Sequence, residues 1–297
     1  MTIVPPADGE PRRPQGPRDP GDAWVEAPGG QRYWGRFGAA GLLAVDPDRG
    51  VLLQHRVAWS HFGGTWGLPG GALHQGEAPI VGALREAQEE AGVPDGAVRP
   101  IFTSVLDLDV WAYTTVVAAV EVPFDPVISD PESVALEWVP LDEVESLPLH
   151  PGFASSWPML RRLLAERVTL VVDAANVVGS VPDGWWKDRA GATSRLISRL
   201  SGVGVPAEAV GLGGATWFPT VAMVVEGQAR AVEADDAAVA IVRADAAGDD
   251  AIVAEAERRV AAGERVVAVT SDRELVGRLE RADVSAVRSA GWLLDLV

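Results

Sequence analysis

GGALHQGEAPIVGALREAQEEAGV, residues 70–93, decides how the first half of this chain is read. Three glutamates, Glu86, Glu89 and Glu90, fall within five positions directly after Arg85. On a helix, positions i, i+3 and i+4 share a face, so these carboxylates stand side by side. Like charges at that spacing repel by a few tenths of a kcal/mol per pair, roughly 0.2–0.5. A solvated acidic face would carry that repulsion for no gain, whereas a bound cation would turn it into a set of ligands. The flanks delimit the helix: Pro79 suits its first turn and Gly92 its stop, giving a helix over about 78–91. Ile80, Leu84, Ala87 and Ala91 form an apolar stripe that anchors it, with the glutamates on the other side.

Around this helix the pattern is that of strands. Apolar runs fall at 39–45 (AAGLLAV), 50–55 (GVLLQH) and 110–122 (VWAYTTVVAAVEV), and DPDRG at 46–50 reads as the turn of a β-hairpin between the first two. ALEWVPLDEVESLPL, residues 135–149, gives a further short strand and turn, and a helix over roughly 154–166 closes the half. The class predicted here is mixed α+β. Residues 1–30, rich in proline, glycine and charge, read as a flexible arm. At Val168 the pattern changes to short continuous apolar runs: VTLVVDAAN, VAMVVEG (221–227), VAIV (239–242) and VVAVTSD (266–272). Helical stretches over about 189–201, 249–262 and 273–282 alternate with them. Unalternated apolar strands between helices predict an α/β domain with a parallel sheet covered on both faces. The expected organisation is therefore an arm at 1–30, one domain at 31–166 and a second at 167–297.

The bulk composition narrows the classes. The chain has 297 residues, 47% apolar, enough for two cores. It contains no cysteine, which excludes disulfides and thiolate-held zinc and fits a reducing cytoplasm. No signal-like segment and no 18-residue uncharged apolar run is present, so no membrane partner is expected. A net charge of −17 argues against sequence-independent binding of phosphate backbones by the whole surface. It leaves room for a local site in which metal ions supply the positive charge for an anionic substrate.

Gly71, Glu77, Arg85, Glu86, Glu89, Glu90 and Gly92 follow the spacing G-x5-E-x7-R-E-x-x-E-E-x-G, with small apolar Ala87 and with Val93 after the glycine. This resembles a complete Nudix box, the signature of the Nudix hydrolases, and the resemblance spans roughly 33–165, supported by WGLPGG at 66–71. It implies catalytic roles for Arg85, Glu86, Glu89, Glu90 and Glu77. It also implies ligation of Mg²⁺ or Mn²⁺ by Glu86, Glu89, Glu90 and the Gly71 carbonyl. The residue chemistry agrees, because carboxylates are the hard oxygen ligands these ions prefer and Arg85 can hold a neighbouring glutamate, Glu77 first among them. Either a box glutamate or an acid of a distant loop, such as Glu132 or Glu137, could act as general base. His55, His61 and Trp66 could touch substrate or simply pack.

In the second half, Asp173 and Asn176 end the first strand, Asp272 ends another, and Asp249 and Asp250 open a helix. Ligands of parallel sheets bind beyond the carboxyl ends of the strands, where these groups should converge. Asp249 and Asp272 also stand where helix caps are wanted, and Asn176 where a turn residue is; Asp173 has no comparable structural duty. The set resembles the NYN branch of the PIN-like nucleases over about 168–297. That resemblance implies Mg²⁺ ligation by Asp173, Asp250 and Asp272, support from Asn176 and Asp249, and RNA as a partner. Residues 168–297 nevertheless hold 19 Asp/Glu against 13 Lys/Arg, where RNA binding favours a basic face. PDGWWKDR, 182–189, offers cations and stacking rings.

The expectation is a cytoplasmic, metal-dependent Nudix hydrolase that cleaves a phosphoanhydride bond in a nucleoside-diphosphate-linked compound, with an appended PIN-like domain. Two other classes stay open: an RNA-processing nuclease whose Nudix half trims or senses a nucleotide, and a non-catalytic nucleotide-binding regulator. An intact box disfavours the last.

Overall fold

The computed structural model describes residues 1–5, 20–182, 184–233 and 238–297. The chain separates into two compact units, Met1–Arg162 and Leu163–Val297.

The N-terminal unit contains β1 (Thr2–Val4), β2 (Trp24–Glu26), β3 (Arg32–Trp34), β4 (Ala39–Asp46), β5 (Gly50–Arg56), β6 (Trp66–Gly67) and β7 (Gly70–Ala72). There follow α1 (Pro79–Ala91), β8 (Val98–Asp107), β9 (Ala112–Val120), β10 (Ser133–Val139) and α2 (Pro151–Leu163). Its main sheet runs β10-β5-β4-β9-β8, with β6 alongside β5 and β7 alongside β4. The β4–β9 pairing is parallel and the others antiparallel, so the sheet is mixed. β4 and β5 form the expected hairpin about Asp46↔Gly50. The turn is locked by Asp46, which accepts from the Asp48 and Arg49 amides and from the Arg49 guanidinium. Gly50 carries φ +95°, which only glycine adopts without strain.

Helix α1 lies on this sheet through Ala83, Ala87 and Ala91, all fully buried against Ala40, Leu42, Ala44 and Val116. Small side chains let the helix approach closely, while Ile80 and Leu84 are only half-buried. Gly92 is left-handed at φ 65°, and its amide returns to the Gln88 carbonyl in an αL-type close, with the Val93 amide on Ala87. The helix closing this half runs Pro151–Leu163, three residues earlier than the expected 154–166. The Ala154 amide bonds the His150 carbonyl, so the helix starts as soon as Pro151 permits.

The flexible arm expected at 1–30 needs correction at both of its ends. Thr2–Val4, Trp24–Glu26 and Arg32–Trp34 form a separate three-stranded antiparallel sheet. Val25 is fully buried and the Trp24 and Trp34 rings meet edge to face at 5.1 Å, giving these short strands an apolar reason to pair. Residues 6–19 of the arm lie outside the described residues.

The C-terminal unit contains β11 (Val168–Asp173), α3 (Ala174–Gly179), α4 (Arg189–Leu200), β12 (Val205–Pro206), β13 (Thr216–Trp217), β14 (Thr220–Val225) and β15 (Val239–Arg243). It continues with α5 (Gly248–Ala261), β16 (Arg265–Val269), α6 (Arg273–Arg281), β17 (Ala286–Arg288) and α7 (Ala290–Leu294). Five strands, in the order β15-β14-β11-β16-β17, form a sheet parallel throughout. All of β11 is buried, as a central strand with both faces covered must be. No helix among the described residues is long and apolar enough to cross a membrane.

Candidate active site

The box residues gather where α1 meets β7. Arg85 is the hub: Nε and Nη2 donate to the two oxygens of Glu77, each at 2.8 Å, Nη1 to Glu86 at 2.7 Å, and Nη2 also to the Ala72 carbonyl at 3.1 Å. Glu89 lies 3.5 Å from the same guanidinium. Glu77 also accepts from the His74 amide at 2.9 Å, and Arg85 holds its carboxyl at about 2, far below the usual range.

The glutamates do not all lie away from the apolar face, as the stripe implied. Glu86 and Glu90 are buried, at 3% and 5% exposure, and only Glu89 reaches solvent, with a side chain 42% exposed. The cause is β7, whose glycines lie over the helix. A Cβ on Gly71 would stand 2.8 Å from the Glu86 carboxylate, so any side chain there would push that carboxylate aside. The Gly70 amide donates to Glu90 Oε2 at 2.9 Å. Burial, first, and then the neighbouring Glu86, Asp130 and Glu132 push the Glu90 carboxyl well above the normal carboxylate range. Tyr113, half-buried nearby, is raised by desolvation of its hydroxyl and then by Glu90.

Among the described residues, no three acidic or histidine side chains already form a metal cage. In this arrangement Glu86 is drawn to Arg85, and Glu90 to the Gly70 amide and the Gln54 side chain. The donor set nonetheless suits a divalent cation. Two buried carboxylates repel each other beside a glycine cradle, and only hard oxygens are on offer.

His55 stacks on Trp66 at 4.8 Å, while His61 packs edge-on against Trp24 and Phe62. His150, unremarked in the sequence, meets the other side of Phe62, and burial lowers it to about 4, leaving a neutral ring. Glu132 lies 3.8 Å from Arg56 and is close enough to raise Glu90; Glu137 sits in β10 opposite Leu53. Gln54 is the residue that the sequence reading passed over. Its one signal was a polar residue inside the run GVLLQH.

In the C-terminal unit, Asp173, Asn176, Asp249 and Asp272 line a cavity of about 190 Å³ together with Glu226. Asp250 does not join them. It bonds Arg278 at 2.6 Å with its side chain 75% exposed, because neighbouring positions on a helix point about 100° apart. Glu226, just beyond β14 and two residues past the register partner of Asp173, takes that place, and its signal was its position directly after the apolar run VAMVV. Asp173 also proves to have a structural duty. It is the N-cap of α3, accepting from the Asn176 amide at 3.0 Å and from Thr270 Oγ1 at 2.9 Å. Asp272 caps α6 through the Glu274 and Leu275 amides, Glu226 accepts from the Gly248 amide opening α5, and Asn176 Oδ1 accepts from the Ser271 amide. Burial raises Asp173, with Asp249 and Glu226 adding to it, and burial with Asp272 raises Asp249.

A glycine strand of a mixed sheet thus faces an arginine-clamped glutamate helix. The family described as "NUDIX domain" matches residues 35–163, and the chain belongs to the Nudix family of hydrolases. A Mycobacterium tuberculosis H37Rv protein named "Putative 8-oxo-dGTP diphosphatase 3" is 51% identical over 154 residues, covering 48% of this chain and 70% of that protein. A Bifidobacterium longum "Nucleoside triphosphate pyrophosphatase/Nudix hydrolase fusion protein" is 43% identical over 159 residues, covering 50% of this chain and 33% of that one. Among solved structures, a Nudix hydrolase from M. smegmatis, RenU, is 47% identical, covering 49% of this chain and 96% of that chain at a TM-score of 0.45.

Proposed function

We propose that the N-terminal unit is a Mg²⁺- or Mn²⁺-dependent hydrolase of a phosphoanhydride bond in a nucleotide. The sequence reading named nucleoside-diphosphate-linked compounds as substrates. The name of the mycobacterial relative adds 8-oxo-dGTP, a nucleoside triphosphate, as the first compound to try. The observation that carries the proposal is the buried Glu86–Glu90 pair pressed against Gly70 and Gly71, a repulsive arrangement that a divalent cation relieves. Glu86, Glu89, Glu90 and the Gly71 carbonyl would hold the ion. When bound, such an ion neutralises charge developing on phosphate oxygens and acidifies a water. The chain's own part is orientation: Arg85 holds Glu77 and Glu86, and the Gly70 amide fixes one edge of Glu90. The burial of Glu86 and Glu90 keeps bulk water from screening the site.

The test is hydrolysis of a panel with Mg²⁺: 8-oxo-dGTP, the normal nucleoside triphosphates, ADP-ribose and nucleoside-diphosphate sugars. Glu90→Gln and Glu89→Gln should each lower turnover on the order of 10³-fold, the equivalent of several kcal/mol of charge stabilisation. Near-parental turnover in both variants, on every compound the parent cleaves, would remove the metal assignment.

We further infer that the C-terminal unit is a PIN-like domain that takes a divalent cation near Asp173, Asp249 and Asp272, with single-stranded RNA as its partner. Support comes from the convergence of these acids at the carboxyl edge of a parallel sheet. Further support is the 184–189 segment, where Arg189 lies 5.2 Å over the Trp185 ring and Trp186 is exposed.

A further inference from the structure

Gln54 is out of keeping with its strand. Val51, Leu52 and Leu53 of β5 are wholly buried, and Gln54 is buried just as completely. A leucine there would bring no polar atom of its own into the core. The glutamine strands one, since its Oε1 is buried and accepts no hydrogen bond among the described residues. Buried carbonyl oxygens without donors are rare and costly, so the residue needs a reason other than stability.

The other end of the amide supplies it. Nε2 donates to Ser133 Oγ at 2.8 Å and reaches Glu90 Oε2 at 3.4 Å. Turned over, the amide would set an acceptor against a carboxylate oxygen. The orientation that serves Glu90 is therefore the one that orphans Oε1. Ser133 reaches its place through a β-bulge. Leu136 pairs Gln54 and Ala135 pairs His55, but Ser133 rather than Val134 pairs Arg56. Cross-strand partners share a face, so a regular ladder would put Val134 on the side of Gln54. The bulge passes over Val134, which is 55% exposed, and gives that buried place to a hydroxyl. On Glu90, the Gly70 amide and the Gln54 amide both end on Oε2.

We propose that Gln54, seated on Ser133, is a positioning residue for Glu90: it fixes the Oε2 edge of the carboxylate and leaves Oε1 to the divalent cation. The proposal rests on the reading of Glu90 as a ligand given above. Outer-sphere partners of this kind set ligand orientation, and their loss costs about 10–100-fold in metal affinity or activity.

The test uses the full chain with Mn²⁺ alone as probe, bound ion being followed by electron paramagnetic resonance. The difference between parent and Glu90→Gln defines the glutamate site. Gln54→Leu should raise the Mn²⁺ midpoint of that site about tenfold and lower kcat by a similar factor, with KM nearly unchanged. Ser133→Ala should move midpoint and kcat the same way by less. A Gln54→Leu protein with parental midpoint and kcat overturns the proposal, and more plainly still if it melts lower, since Gln54 would then only support the fold. Should Gln54→Leu fail to fold, an unmoved midpoint in Ser133→Ala overturns it instead. Parental Mn²⁺ binding by Glu90→Gln would be a different failure, that of the ligand reading itself.

Discussion

In the N-terminal unit, carboxylates are turned on one another while the ends of their helix are closed by other means, Pro79 at the start and left-handed Gly92 at the end. In the C-terminal unit, Asp173, Glu226 and Asp272 face one cavity, yet each also accepts from an amide that opens a helix. An acid that caps a helix is explained without any ligand. A buried acid with no such duty is not, and Glu90 is of that kind, while Glu86 is held by Arg85. The contrast separates charge spent on folding from charge held for chemistry.

The largest stability effect should fall on the clamp. Arg85→Ala leaves Glu77 and Glu86 without their cation, and breaking a buried ion network by removing one partner costs on the order of 3 kcal/mol. Denaturant unfolding of the full chain would read this as an early transition of the N-terminal unit. A variant as stable as the parent would mean that the clamp contributes nothing.

Next in size is the acid response. Glu77 titrates at about 2 in the folded protein against 4.5 when unperturbed. A depressed carboxyl contributes stability that is fully present above about 4.5 and lost as pH falls towards 2. Asp173 is raised, so its cost is present above its folded value and relieved on acidification towards 3.8. Below about pH 4.5 the N-terminal unit should therefore weaken more steeply than the C-terminal one, and Glu77→Gln should flatten that difference. Thermal unfolding between pH 3 and 7 checks it, and parallel pH curves for the two units would contradict it.

The smallest effects decide the second cluster. In a Glu90→Gln background, Mg²⁺ or Mn²⁺ should raise the melting temperature of the C-terminal unit, by about 2.7 kcal/mol of stabilisation at a hundredfold excess over Kd. Asp173→Asn should reduce that response. If metal does nothing, Asp173, Glu226 and Asp272 serve as caps alone, and Asp272→Ala should then cost about 1 kcal/mol and no function.

Much of this protein was legible in its sequence because the signals are local. Pro79, Gly92 and the glutamate spacing mark α1 within a residue, and DPDRG marks its hairpin. The unbroken Val/Ala runs announce a parallel sheet, since strands covered on both faces carry no polar alternation. Box spacing likewise puts Arg85 and Glu89 on one face of α1, four positions apart, whereas Glu77 lies ahead of the helix and reaches Arg85 from the turn at His74. Short elements escaped for want of length: α3, β17 and the Thr2–Val4 and Trp24–Glu26 strands have too few residues to show a period.

The tertiary structure alone decided what depends on another segment arriving. That Glu86 and Glu90 are buried follows from β7 crossing over α1, and no feature of the helix itself reports it. Asp249 rather than Asp250 faces the cavity because α5 docks at one rotation, which its apolar residues fix only against β11, β14 and β16. Glu226 joins the acids, and Gln54 meets Glu90, through strands far apart in sequence. Covalent neighbours dictate local conformation, but burial, pKa and partnership are properties of the assembled surroundings, and these the chain acquires only on folding.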